Sequence, residues 1–415
     1  MSLSTNLQID ADRLWQALDD MARIGPGIAG GNNRQTLTDE DGEGRRLFRQ
    51  WCEAAGLRVD VDSMGNMFAT RPGADPDATP ICLGSHLDTQ PTGGRYDGVL
   101  GVLAALEVVR TLNDLGIATR RPIVVINWTN EEGARFAPAM ISSGVFAGVY
   151  QESWAKDRVD AQGLRFGDEL RRIGFEGETP VGTHKVGAFF ELHIEQGPIL
   201  EDEGIDIGVV THGQGLYWLR VTLTGQESHT GSTPMGKRRN AGLALARTVE
   251  LVHETAMAHQ PAAVGTVGHM EVHPNSPNII AGRAVATIDI RSPHRDTLEA
   301  MREAIVSGID ALAEPLGVKA EIEIVGHFDP VAFDPECVAA VRRSADRLGL
   351  SHRDIVSGAG HDACYINRIA PTAMIMCPCV GGLSHNEAEA ITRQWAGNGA
   401  NVLLNAVVDA AGVVA

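Results

Sequence analysis

Apolar residues recur along the chain with two different periods, and the switches between them mark out the elements. From about Asp10 to Arg23, Leu14, Leu18 and Met21 fall on one face of a 3.6-residue period, which predicts an amphipathic helix. A second helix is expected from Asp39 to Ala55. The run LRVDVDSMGNMFATR alternates on either side of Gly65-Asn66, as a hairpin would. Three apolar runs then read as buried strands: TPICLGSH, RPIVVINWT and AFFELHI. Between the first two lies GVLGVLAALEVVRTLNDLG, helical in period and closed by glycine. Strand, helix, strand implies an α/β layer with parallel strands. Polar residues cluster where these runs stop: His86 and Asp88 on the first, Glu131 and Glu132 on the second, His193 and Glu195 on the third. In open α/β sheets, sites form beyond the carboxyl ends of strands.

Near Gly213 the order changes. YWLRVTLTG reads as a strand and NAGLALARTVELVHETAMAH as a helix. AAVGTVGHMEVH and AVATIDIRS read as two strands, DTLEAMREAIVSGIDALAEPLG as a helix and VKAEIEIVGHF as a last strand. That β-α-β-β-α-β order is the ferredoxin-like split unit. Afterwards the strand PTAMIMC and a helix near Arg393 to Ala411 resume the first pattern. The expectation is a discontinuous α/β catalytic domain, residues 1–212 and 330–415, with a smaller α+β domain, residues 213–329, inserted. A chain of 415 residues exceeds the size at which one core stops growing, which agrees with two domains.

Charge narrows the partners. A formal net charge of −18 argues against nucleic acid and anionic membrane surfaces. No apolar run approaches a membrane span, and the N-terminal stretch MSLSTNLQIDADRLWQALDDMARIG lacks the basic and apolar regions of a secretory signal. The six cysteines are scattered, with Cys377-Pro378-Cys379 too close for a CxxC pair. Reduced, buried thiols in a cytoplasmic protein are expected.

The strand-end residues suggest a metal site. His86 and Asp97 lie in GSHLDTQPTGGRYDG, Glu131 and Glu132 at the next strand end, and His193 and His385 further on. Imidazole with carboxylate suits zinc, manganese, cobalt or nickel rather than calcium. A pair of divalent ions needs a carboxylate between them, and Asp97 is the candidate. His86 and His193 would complete one ion, Glu132 and His385 the other. Glu131 cannot easily point the same way as Glu132, so it is free to act as a base on water beside the metals. Asp88 could accept the free ring N–H of His86 and hold its tautomer. Ordinary readings stand beside these: a surface His-x-Asp pair, a solvated Glu-Glu, and Asp97 as a turn or helix cap.

The runs GSHLDTQPTGGRYDGVLGV, NWTNEEGARFAP, FELHIEQGPILE, SHTGSTPM, NSPNIIAG, DIRSP, SGAGHDA and GGLSHNEAE together resemble the hydantoinase/carbamoylase family of amidohydrolases, within the dinuclear metallopeptidase superfamily. They span about Gly84 to Glu389. The resemblance implies a metallopeptidase-like catalytic domain with an inserted dimerisation (lid) domain, two divalent metals and a homodimer whose inserted domains complete the partner's site. It implies the same five metal ligands, with Asp97 bridging and Glu131 as general base. It also implies Gln196 as a substrate ligand, His229 as the oxyanion donor in the partner's site, Asn278 and Arg291 as a clamp on the substrate carboxylate, and Gly360 as a backbone contact. Ser228 and Thr230 flank His229 where the family commonly carries alanines. The implied reaction is hydrolysis of an N-carbamoyl amino acid to amino acid, ammonia and carbon dioxide. Gln90-Pro91 and NEEGARFAP look closest to β-ureidopropionases, with N-carbamoyl-L-amino acid hydrolases nearly as near and allantoate amidohydrolases third. A peptidase of the same superfamily and a metal-bound but silent binding protein are the other readings.

Overall fold

The first expected helix forms at Ala11–Ala22, started by Asp10, whose carboxylate accepts the N–H groups of Asp12 and Arg13. Thr38 caps the second, Asp39–Ala54. The computed structural model describes residues 6–414. Strands Arg58–Val61 and Met67–Arg71 pair antiparallel, with Val61 opposite Met67. The turn between them is built on Asp62, whose buried carboxylate accepts from Met64 N–H, Asn66 N–H and the Asn66 amide.

The chain divides into two units, one ending at Thr211 and resuming at Phe333, the other His212–Ala332. In the first, strands run across the sheet in the order Arg58–Val61, Met67–Arg71, Ile123–Trp128, Ile81–His86, Ala188–Ile194, Thr372–Cys377, Ile207–Gly213. The middle four are mutually parallel. Their residues are buried at every position, so the pattern shows no alternation: both faces are covered. Helices Val99–Asp114 and Arg393–Ala411 pack against these central strands. All four parallel strands point their carboxyl ends the same way, which is what gathers the polar residues.

The second unit is a four-stranded antiparallel sheet, ordered Lys319–Phe328, Gly215–Thr224, Arg283–Ser292, Val264–His273. In chain order that is fourth, first, third, second, the ferredoxin-like arrangement. Tyr217, Leu219, Val221 and Leu223 alternate inward and form a core with Ile288, Ile290, Met301 and Ile305 from the neighbouring strand and the Arg295–Ala313 helix. A short ladder, Ser228–His229 with Ile279–Ile280, stands apart from the main sheet. Among the described residues no helix is long and apolar enough to cross a membrane. The six cysteines are free and buried.

Candidate metal centre

Each predicted ligand sits at the carboxyl end of a central strand or in a loop beyond one. His86 is the last residue of Ile81–His86, and His193 lies in Ala188–Ile194. Asp97 directly precedes Gly98, the cap of the Val99–Asp114 helix. Gly98 has φ +67°, and a Cβ there would lie 2.2 Å from His86 Nε2. Only glycine lets the helix start against the imidazole. After Ile123–Trp128, Asn130 adopts a left-handed φ of 62°, and its amide donates to the carbonyl of Phe136 at 2.8 Å. That turn exposes the two following N–H groups. Asp88 accepts both, Glu131 N–H on Oδ1 and Glu132 N–H on Oδ2, each at 3.3 Å.

Asp97 offers its two oxygens in different directions. Oδ1 lies 3.1 Å from His193 Nε2 and 3.8 Å from His86 Nε2. Oδ2 lies 3.3 Å from His385 Nε2, which is also 3.3 Å from Glu132 Oε2. Two groups could each hold an ion, His86–Asp97–His193 and Asp97–Glu132–His385, with Asp97 common to both. Glu131 Oε2 stands 3.5 Å from His86 Nε2, outside both groups.

The residues fit a cation on their own chemistry. His86 Nδ1 donates to the Asp88 carbonyl and His193 Nδ1 to the Ile194 carbonyl, each at 2.9 Å. A neutral ring is then left with a lone pair on Nε2. Burial opposes charge on His193 too, but the hydrogen bond and charge of Asp97 outweigh it and push that imidazole up to about 9, so a proton stands at Nε2 where a cation would lie. The His86 Nε2 atom is buried without a hydrogen-bond partner. Burial pulls the His86 imidazole down to about 4, which keeps it neutral. Burial also pushes the Glu131 and Glu132 carboxyls well above their usual range, and the surrounding carboxylates push further, Asp362 first on Glu131 and Asp97 first on Glu132. Carboxylates this crowded repel until a positive charge lies between them.

One expectation is corrected. The Asp88 carboxylate does not take the His86 ring N–H; its Oδ1 is 3.8 Å from Nδ1, and the backbone carbonyl of Asp88 takes the proton instead. The carboxylate is committed to the two N–H groups at the Glu131–Glu132 turn, which lie beyond the sheet and need an acceptor. Gln196, with φ 57°, turns its amide onto Asp97, Nε2 donating to Oδ2 at 2.8 Å. Gly360 lies against Met140, whose Cε would be 2.7 Å from a Cβ.

In the second unit, His229 is exposed, and its Nδ1 accepts the N–H groups of Gly231 and Ser232 at 3.0 and 3.2 Å. With Nδ1 accepting, Nε2 carries the proton and points outward as a donor. Asn278 joins the same ladder, its carbonyl accepting Thr230 N–H at 3.0 Å. Arg291 is held by Asp289 two residues earlier on the same strand face, Nη2 to Oδ2 at 2.8 Å.

Several buried groups near the metal ligands went unassigned in the sequence. Glu191 stands behind His193, accepting Ser85 Oγ at 2.6 Å and Ala363 N–H at 3.0 Å. His361, whose ring lies 4.4 Å from that of His193, meets Ser357 Oγ at 2.8 Å. Glu191, His193 and His361 are near enough to form a third group, but the Glu191 oxygens are already engaged. Ser384 and Glu389 contact Asp97 from the His385 loop. The only sequence signal for them was membership of the GGLSHNEAE run.

A two-unit α/β protein with imidazole and carboxylate groups converging beyond its parallel strands has the build of a metal-dependent hydrolase. Comparison with known proteins gives the family. The model of the peptidase family M20/M25/M40 matches residues 82–409. The chain is 63% identical, across 99% of its length and 98% of the relative's, to an N-carbamoyl-L-amino-acid amidohydrolase of Rhizobium meliloti. It is 34% identical, across 97% of its length and 87% of the relative's, to a ureidoglycolate hydrolase of Arabidopsis thaliana. A crystal structure of a hydantoinase/carbamoylase family amidase from Burkholderia multivorans superposes with a TM-score of 0.95 at 52% identity, covering 98% of this chain and 99% of that one. The chain belongs to the peptidase M20/M25/M40 family, among its hydantoinase/carbamoylase amidases.

Proposed function

We propose that this protein hydrolyses the carbamoyl C–N bond of N-carbamoyl-L-amino acids, releasing the amino acid, ammonia and carbon dioxide. The observation that carries the substrate class is the 63% identity, over nearly the whole of both chains, to a relative of that activity. It favours an α-amino acid product over the β-alanine that Gln90-Pro91 suggested. His86, His193 and Asp97 would hold one divalent ion, and Glu132, His385 and Asp97 a second. Zinc or manganese suits this set, and cobalt and nickel share it. Bound there, such ions supply positive charge that polarises the carbamoyl carbonyl and makes water acidic.

The chain's own residues do the rest. Glu131 takes the proton of the attacking water on a carboxylate oxygen and returns it to the leaving nitrogen, and the carbamate left by that cleavage breaks down to the second amine and carbon dioxide. Arg291 and Asn278 receive the substrate carboxylate, with Asp289 fixing the guanidinium fork. His229 Nε2–H donates to the oxyanion that forms at the carbonyl, a contact worth roughly 3 kcal/mol. We assign His229 to the site of a second subunit in a homodimer. The six buried thiols suit a reducing cytoplasm.

A second reading rests on the 34% likeness to a ureidoglycolate hydrolase, whose name marks another ureido acid as substrate. Both are tested by ammonia release from metal-reconstituted protein offered N-carbamoyl-L-amino acids, N-carbamoyl-β-alanine, allantoate, ureidoglycolate and dipeptides. Preference for the L-carbamoyl compounds supports the first reading, and preference for allantoate or ureidoglycolate moves the protein to the second. Dipeptide cleavage with silence on every ureido acid would overturn both. No turnover at all with metal bound would make it a binding protein.

A further inference from the structure

We propose that Glu389 is a positioning residue of the metal centre: it holds the backbone that carries Asp97 and ties it to the loop that carries His385. The proposal deepens the reading of Asp97 as the ligand shared by two metal groups, and rests on it. Glu389 is 5% exposed. Its Oε1 accepts two consecutive backbone N–H groups, Tyr96 at 2.9 Å and Asp97 at 3.1 Å. Its Oε2 lies 3.1 Å from Ser384 Oγ, which is also 2.9 Å from Asp97 Oδ2. The Ser384 hydroxyl has one hydrogen for two carboxylates, so it serves one at a time. Gln196 Nε2 reaches the same pair, Asp97 Oδ2 at 2.8 Å and Ser384 Oγ at 3.1 Å.

Asp97 is therefore gripped at both ends, its N–H by Glu389 and its Oδ2 by Ser384 and Gln196. Fixing the backbone and one oxygen leaves the side chain no freedom to rotate Oδ1 away from His86 and His193. The fit is close. A Cβ at Gly94 would lie 2.0 Å from the Glu389 carboxyl carbon, so the loop backbone passes directly over the carboxylate. Glu389 also stands four residues after His385, whose backbone is held at φ 52°. Such a left-handed residue persists only where its surroundings fix it. Between the two, Glu387 accepts the N–H groups of Ala29 and Gly31 at 2.5 and 3.2 Å. The His385 loop is thus anchored at two points, and its Glu389 anchor is shared with Asp97.

The test is titration calorimetry of Mn²⁺ into the metal-stripped full chain, with circular dichroism and thermal melting on each variant. Glu389→Ala is expected to keep its secondary structure and bind Mn²⁺ 10–100-fold more weakly, as loss of an orienting partner does. Glu389→Gln keeps an oxygen for both N–H groups and offers its amide to Ser384 Oγ, so its affinity should stay within about threefold of wild type. Glu389→Asp is one methylene short and should bind about tenfold more weakly than Glu389→Gln. A purely structural role would lower the melting temperature of Glu389→Ala and leave Mn²⁺ affinity unchanged, which would overturn the proposal. If Glu389→Ala does not fold, equal affinity of the Asp and Gln variants overturns it instead. Wild-type protein that takes up no Mn²⁺, zinc or cobalt would defeat the metal reading itself, and that outcome is read without any variant.

Discussion

Replacing Gly98 with alanine tests the contact on which the first ligand group depends. The new Cβ would lie 2.2 Å from Nε2 and 2.3 Å from Cε1 of His86, where ordinary contact begins near 3.4 Å. The imidazole cannot retreat, because it is fully buried and its Nδ1 is bonded to the Asp88 carbonyl. The helix Val99–Asp114 must shift instead, by about 1 Å. Two costs arise. One is a backbone cost at φ 67°, ψ −43°, a γ-turn closed by Val99 N–H on the Asp97 carbonyl, which strains a side chain by more than the about 1–2 kcal/mol of the left-handed helical region. The other is about 1–3 kcal/mol for overpacking. The same helix carries its own control. Gly116, just past its end, has φ +63°, and a Cβ there would meet no atom within 4 Å, so Gly116→Ala bears only the backbone cost. The difference between the two variants in thermal and denaturant unfolding should be at least about 1–3 kcal/mol, the overpacking cost plus the extra strain of the γ-turn at Gly98. Gly98→Ala should also bind metal at least tenfold more weakly, because the shifted helix start carries Asp97 away from His86 and His193, whereas Gly116→Ala should bind as wild type. Equal destabilisation of the two, with equal metal affinity, would refute the close approach of helix and ligand.

Other outcomes follow from the same geometry. Glu131→Gln should keep metal binding by calorimetry and lose turnover by 10²-fold or more; a variant retaining nearly full activity would remove Glu131 as base. Arg291→Ala should raise KM for the carbamoyl substrate by 10-fold or more, the loss of a charge-assisted pair, with a smaller rise for Asp289→Asn; an unchanged KM in Arg291→Ala would take it out of the clamp. Burial pushes the thiols of Cys82 and Cys364 up to about 12, so at pH 8 the native chain should react slowly with a thiol reagent and expose all six groups only on denaturation. Rapid native labelling at either position, located by mass spectrometry, would contradict that burial.

Sequence periodicity revealed the scaffold better than the site's supports. The unbroken apolar run in Ile81–His86 and Ile123–Trp128 signals a strand covered on both faces, and such strands must be followed by loops at one sheet end. Histidine and carboxylate residues placed there stand out as a donor set from residue type alone. The alternation of Tyr217, Leu219, Val221 and Leu223 likewise announces a sheet with one covered face. What stayed hidden was which atom of each residue does the work. Asp88 looked like a partner for the His86 ring because their separation suits it, yet backbone demand at the Glu131–Glu132 turn claims its carboxylate. Glu389 and Ser384 have no periodic signature, since their partners are 292 and 287 residues away in Asp97. Long-range pairing of loops leaves no local mark.

Those hidden partners share one device. Asp88 accepts the N–H groups of Glu131 and Glu132, Glu389 those of Tyr96 and Asp97, and Glu195 those of Ile199 and Leu200. Each is a buried carboxylate taking two consecutive backbone donors beyond the end of a central strand, in loops for Asp88 and Glu389 and at the start of the helix Ile199–Glu203 for Glu195. The sheet cannot satisfy these donors, because its ladder has ended. The two oxygens of a carboxyl group accept at several positions, so a single side chain meets both needs and fixes the local backbone. A site made of loops thereby acquires the rigidity of regular structure, which is what a shared ligand such as Asp97 requires if its two oxygens are to face different groups.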